Sequence, residues 1–131
     1  MSNWLRFILT VVVGAHGLGH ILFLVPLLGV ADWGQPTRSW LLGDGWLARG
    51  VGSLFWLVAI VGFTAVAIGL INETDWWQTV AIGAAAVSSL GLILFWVNPV
   101  NSPILSALVF NLLVLSALLI FRWPPIAQPT T

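Results

Sequence analysis

Four long apolar stretches, separated by short polar segments, dominate this chain. They cover residues 4–28, 46–71, 76–97 and 103–123, and a helix of about 20 apolar residues is long enough to cross a bilayer. Backbone N–H and C=O groups inside lipid must be bonded within their own segment, so each stretch is predicted to be a helix. The sequence therefore predicts an all-α fold, an integral membrane four-helix bundle, with residues 1–131 forming a single transmembrane domain.

The composition excludes several classes of protein. Hydrophobic residues make up 60% of the chain and charged residues only 6%, which is too little polar material to cover a soluble domain. A nucleic-acid partner needs a basic face, but the formal net charge is zero. The chain has no Cys, which rules out disulfides and thiolate metal sites. Membrane lipid is therefore an expected partner and nucleic acid is not.

The connections predict where the helices begin. Asp44 is the expected cap of the second helix, and Asp75 with Gln78 resembles a capping box for the third. Ser102 followed by Pro103 predicts the start of the fourth helix.

The segment 29–45 is the only sizeable loop. Its acidic and basic residues alternate with Trp and Leu, which is typical of a segment at the membrane interface. An even number of spans places both termini on one side of the membrane. Two Arg fall on each side, so the positive-inside count is tied. We expect cytoplasmic termini, because the longer loop is the better candidate for translocation.

The only two histidines, His16 and His20, lie one helical turn apart inside the first apolar stretch. An ionisable side chain at this depth is costly and marks either a function or a buried polar contact. Counting inward from the side of the long loop places His20, Ser89 and Asn111 at about 12 Å depth. His16 lies one turn deeper, near the middle of its helix, with Ser88 at a similar level. We therefore predict a polar layer in which at least one histidine hydrogen-bonds Asn111, Ser88 or Ser89.

Several interpretations of the histidines stay open at this point. The first is a neutral, hydrogen-bonded polar cluster without a ligand. A helical His beside Gly17 and Gly19 also suits the axial position of a haem or chlorin. However, ligation by two histidines from separate helices would need a second chain. His16 and His20 at i and i+4 suit a divalent metal, although no carboxylate lies at their depth. A quinone or another small lipid-soluble ligand is the last alternative.

The candidate cofactor-binding residues share this depth or supply clearance beside it: His16, His20, Gly17, Gly19, Ser88, Ser89 and Asn111. The identity of a cofactor is not determined. No catalytic residue is predicted, because all four acids lie outside the helix cores and no serine has a base with an orienting acid. The sequence does not decide whether the protein is an enzyme, but it favours a protein without catalytic activity.

These observations favour a small structural or accessory subunit of a larger membrane assembly, or a homo-oligomer. The alternative is an electron-transfer membrane protein that binds a cofactor through His16 or His20. A small transporter is the second alternative. It is disfavoured because a proton- or cation-coupled transporter would need a carboxylate at mid-membrane depth.

The segment Ala15-His16-Gly17-Leu18-Gly19-His20, followed by three further helices, resembles a class of small, uncharacterised bacterial four-helix membrane proteins. In size and helix number alone, the chain is also similar to the DoxX-like group. The resemblance covers six residues in motif and the whole chain in topology. It implies a bacterial inner-membrane protein and implies no activity.

Overall fold

Each apolar stretch forms a helical span in the computed structural model, which describes residues 1–124. The helices are α1 (Asn3–Gly19), α2 (Ile21–Leu27), α3 (Trp46–Ile71), α4 (Trp77–Leu94) and α5 (Ser102–Leu115), with α5 continuing into a π-helical turn at Ser116–Ile120. Helices α1 and α2 together make the first span, and α5 with its π-helical turn makes the fourth. The prediction of an all-α bundle with four membrane-spanning helices is confirmed.

The four spans pack in chain order and leave one side of the bundle open. Helix α1 packs on α3, α3 on α4, and α4 on α5, whereas the backbones of α1 and α5 stay farther apart. Glycines allow two of these close approaches. A Cβ on Gly17 would lie 2.7 Å from the Cβ of Phe63, and one on Gly62 would lie 2.8 Å from the Cβ of Ala84. Small residues thus set the helix spacing, as is usual in membranes.

The first span is interrupted at His20, which the sequence analysis did not predict. The backbone N–H of His20 donates to Gly17 O at 3.2 Å instead of continuing the α-helical ladder. The carbonyl of His16, four residues earlier, accepts from the imidazole Nδ1 of His20 at 3.0 Å. Glycine disfavours a regular helix, and Gly17 and Gly19 both lie shortly before this break. The imidazole of His20 therefore bonds the His16 carbonyl that the backbone N–H of His20 would bond in a regular α-helix.

The long loop is hydrogen-bonded to the end of α4. The Ser39 hydroxyl donates to Leu94 O at 2.8 Å, and the Trp40 indole donates to Ile93 O, also at 2.8 Å. The last carbonyls of a helix need partners from outside the helix, and the loop supplies them here. Helix α4 accordingly ends at Leu94, three residues before the predicted end at Val97.

All three predicted caps are wrong. Gly45, not Asp44, is the N-cap of α3, and it makes no side-chain hydrogen bond. Asn101, not Ser102, caps α5, because its side-chain oxygen accepts from Ile104 N at 3.0 Å. Asp75 and Gln78 form no capping box at α4, whose N-cap makes no side-chain hydrogen bond. The Gln78 amide instead donates to the carbonyl of Pro124 at 2.7 Å. This contact joins the start of α4 to the end of the fourth span.

The four-span architecture predicts that the long loop and the α3–α4 turn lie on opposite sides of the membrane. The chain has no Cys, so single cysteines can be introduced without background. Arg38→Cys and Asp75→Cys both fall at exposed positions. In sealed vesicles, a membrane-impermeant maleimide should label only one of the two variants, and permeabilisation should expose the other. Labelling of both from the same side would contradict the four-span topology.

Candidate functional site

The histidines, with Ser88 and Asn111, form a polar layer between two apolar clusters. One cluster, towards the chain termini, includes Val13, Ala59, Phe63, Ala85 and Leu70. The other, towards the long loop, includes Phe23, Leu27, Trp56, Leu92 and Ile104. His20, Ser88 and Asn111 are each at most 1% exposed. Each of these buried polar groups therefore needs a partner within the protein.

Four hydrogen bonds join these residues into a closed network, which we call the polar network (His16, His20, Ser88 and Asn111). His16 Nε2 lies 2.9 Å from Asn111 Oδ1. Asn111 Nδ2 donates to Ser88 Oγ at 2.7 Å. Ser88 Oγ lies 2.6 Å from His20 Nε2. His20 Nδ1 closes the network on the carbonyl of His16 at 3.0 Å. The network thus links the first, third and fourth spans.

The chemistry of the acceptors assigns the protons when both imidazoles are neutral. A backbone carbonyl only accepts, so Nδ1 of His20 carries a proton and Nε2 of His20 is an acceptor. The Ser88 hydroxyl then donates to His20 Nε2, and its oxygen accepts from the amide of Asn111. The carbonyl oxygen of Asn111 in turn accepts from a protonated Nε2 on His16. Every polar atom in the network then has a partner, except Nδ1 of His16.

Nδ1 of His16 faces no protein partner, and His16 lines an open groove. Within residues 1–124, the side-chain hydrogen bond of His16 is made only by Nε2. Among the described residues, the fully buried polar side-chain atoms without partners are Thr10 Oγ1 and Trp56 Nε1, so Nδ1 of His16 keeps some access. The groove has a volume of about 280 Å³. It lies between the first span and α5, and its lining includes His16, Gly19, Phe23, Pro103, Ser106 and Phe110.

Aromatic rings fix the orientation of His16. The Phe110 ring stacks on the imidazole with a centroid distance of 4.0 Å and an interplanar angle of 27°. Phe63 meets the same imidazole edge-on at 4.7 Å. The ring of His16 is therefore held between α3 and α5, with its position defined by contacts as well as by the hydrogen bond to Asn111.

The predicted polar contact is confirmed, and both histidines take part in it. Of the other predicted site residues, Ser89 and Gly17 contact different parts of the bundle. The Ser89 hydroxyl bonds its own helix at Ala85 O, 2.7 Å away, because one residue along a helix turns the side chain by about 100°. Gly17 faces Phe63 in α3, whereas Gly19 lines the groove.

Sequence reasoning missed the α5 side of the groove. Pro103, Ser106 and Phe110 line it, spaced at i, i+3 and i+7 along one helical face. This spacing, next to Asn111, was the available sequence signal.

The roles of these residues as cofactor or metal ligands stay predictions. His20 uses both ring nitrogens within the network, so only His16 can offer a lone pair without breaking a hydrogen bond. Within residues 1–124, no group of three or more His, Cys, Asp or Glu residues is arranged to hold a metal ion.

Comparisons with known proteins give no match: no family model, no curated protein and no solved structure resembles this chain at a significant level.

The polar network predicts different consequences for two neighbouring serines. Ser88→Ala removes a hydroxyl that bonds Asn111 and His20, and should lower the free energy of unfolding by about 0.6–2 kcal/mol, the range for such contacts in membranes. Ser89→Ala, one residue along α4, removes only a bond to its own helix and should change stability little. Unfolding in mixed detergent micelles would measure both. Equal effects of the two substitutions would contradict the proposed network.

Proposed function

We propose that this four-span membrane protein binds a small lipid-soluble ligand in the groove between its first and fourth spans. The observation that carries the proposal is the ring nitrogen Nδ1 of His16, which has no protein partner within residues 1–124 although His16 lines the groove. A polar atom at membrane depth without a hydrogen bond is costly. A ligand that bonds Nδ1 removes that cost.

The size of the groove restricts the ligand. Pockets for drug-sized ligands have volumes of about 300–1,000 Å³, and the groove volume of about 280 Å³ lies just below that range. A single-ring headgroup fits this space better than a tetrapyrrole such as haem or chlorin. The groove is not enclosed, so a hydrocarbon tail attached to the headgroup would extend into the bilayer.

A matched pair of glycine substitutions tests this binding site. At Gly19, which lines the groove, and at Gly83 on α4, an added Cβ meets no atom within 4 Å. A neutral phenyl diazirine would serve as a photoreactive probe, with modified residues mapped by mass spectrometry. We expect saturable modification at the groove, lost in Gly19→Leu because the new side chain fills it, and retained in Gly83→Leu.

Two results would contradict ligand binding in the groove. One is non-saturable modification spread evenly over the apolar surface. The other is equal loss of modification in both glycine variants.

A second candidate function is that of an accessory subunit in a larger membrane assembly or a homo-oligomer. It is supported by the exposure of the fourth span. Only 11% of its apolar core segment is buried, compared with 33% and 39% for the second and third spans. A helix of another subunit, or of a second copy, would cover the open side between α1 and α5. This candidate and the ligand site concern the same face of the bundle.

Crosslinking in native membranes tests the accessory role. Ser106 is exposed at the open side, whereas Val61 is exposed on α3 with 65% of its surface accessible. A cysteine-reactive crosslinker should convert Ser106→Cys, but not Val61→Cys, into one discrete product of higher mass. A doubled mass identifies a homo-oligomer. Only monomer from both variants would contradict the accessory role.

We further propose a bacterial inner-membrane location with cytoplasmic termini. The resemblance of the Ala15–His20 segment and the position of the longer loop on the opposite side support this orientation. In intact cells, the impermeant maleimide would then label Arg38→Cys and leave Asp75→Cys unlabelled.

A further inference from the structure

The direction of every hydrogen bond in the polar network is fixed by one carbonyl. Because the carbonyl of His16 cannot donate, His20 Nδ1 must, and the remaining assignments follow around the network. Reversing the Asn111 amide would direct the Ser88 hydroxyl to the amide oxygen. Nε2 of His20 would then face an oxygen lone pair without a proton between them. With neutral imidazoles, only one amide orientation satisfies all four contacts.

This direction determines what His16 presents to the groove. Since Nε2 of His16 donates to Asn111, the proton of the neutral imidazole is on Nε2, and Nδ1 is left with a lone pair. His16, a lining residue of the groove, is thus held in the tautomer whose unbonded nitrogen is a hydrogen-bond acceptor.

Ser106, the second polar side chain available in the groove, also offers a hydrogen-bond acceptor. The Ser106 hydroxyl donates to Pro103 O of its own helix at 3.2 Å, so its oxygen offers lone pairs. His20, the other polar lining residue, has both nitrogens engaged. Among the described lining side chains, the groove therefore offers acceptors and no free donor.

We infer that the ligand is a hydrogen-bond donor with a phenolic headgroup, of the quinol type rather than the quinone type. This inference rests on the proposed ligand-binding function of the same groove. A quinone presents only carbonyl oxygens, whose lone pairs would face the lone pair of Nδ1. A quinol has the same carbon skeleton and presents an O–H that donates to Nδ1. The polar network therefore selects the reduced over the oxidised form of one lipid-soluble ring.

Three tetramethyl ring compounds, of which only one donates hydrogen bonds, test this selectivity on the purified full chain. They are duroquinol, its dimethyl ether and duroquinone, measured anaerobically as competitors of the photoreactive phenyl diazirine. A typical net hydrogen bond corresponds to about threefold to tenfold in affinity. We expect duroquinol to bind tighter than the other two compounds by that factor.

Ser88 acts as a positioning residue. Its substitution separates the effect of hydrogen-bond direction on ligand affinity from the effect of packing. In Ser88→Ala the amide of Asn111 loses the partner that fixes its orientation, and His16 is free to change tautomer. The ratio of duroquinol to duroquinone affinity should then fall towards one while the ring compounds still bind. Ser89→Ala is the control, and its ratio should equal that of the unmodified chain. A merely structural role of Ser88 would weaken all three compounds in parallel.

The outcomes distinguish this inference from the proposed function. Equal affinities for all three compounds, with saturable binding, would overturn the selectivity and leave ligand binding intact. Absence of competition by every compound would overturn the assignment of a phenolic ligand, and with non-saturable photolabelling it would overturn the binding function too. An unchanged ratio in Ser88→Ala would show that the polar network does not set the selectivity.

Discussion

The hydrogen bonds among His16, His20, Ser88 and Asn111 determine how three of the four spans fit together. In hydrocarbon, no water is present to bond an amide or imidazole, so each residue of the polar network depends on the others for its hydrogen bonds. Leu, Val and Phe side chains contact lipid as readily as they contact one another, and do not by themselves specify one helix rotation. The polar network does, because its contacts are directional. It also separates the two apolar clusters that complete the packing on either side.

The sequence predicts the spans well because their length is set by the bilayer. It also predicts a polar layer that includes the histidines, Ser88 and Asn111, because the rise per residue in a helix is constant. The structure pairs His16 with Asn111 and His20 with Ser88. The sequence could not choose between Ser88 and Ser89. These serines differ little in depth but point in different directions, and helix rotation follows from contacts such as Gly62 against Ala84. Depth is thus readable from the chain, whereas facing direction is a property of the assembled bundle.

Other features could not be predicted because their causes are distant in the chain. Helix α4 ends at Leu94 because Ser39 and Trp40, more than 50 residues earlier, bond its last carbonyls. Trp40 is 65% exposed, as expected in a segment at the membrane interface, yet its indole N–H bonds a carbonyl at the end of α4. One Trp side chain can thus place its ring at the membrane interface and also donate a hydrogen bond to a distant helix.

The exchange of donors at His20 has a mechanical consequence. In an ordinary helix, each ladder bond is internal, and the shape of the helix is independent of its neighbours. Here, one carbonyl of the first span is bonded by an imidazole whose other nitrogen is held by Ser88 of α4. The geometry of the break in the first span is therefore coupled to the distance between that span and α4. A small lateral displacement of one helix in the plane of the bilayer would become a change of angle in another, close to the wall of the groove.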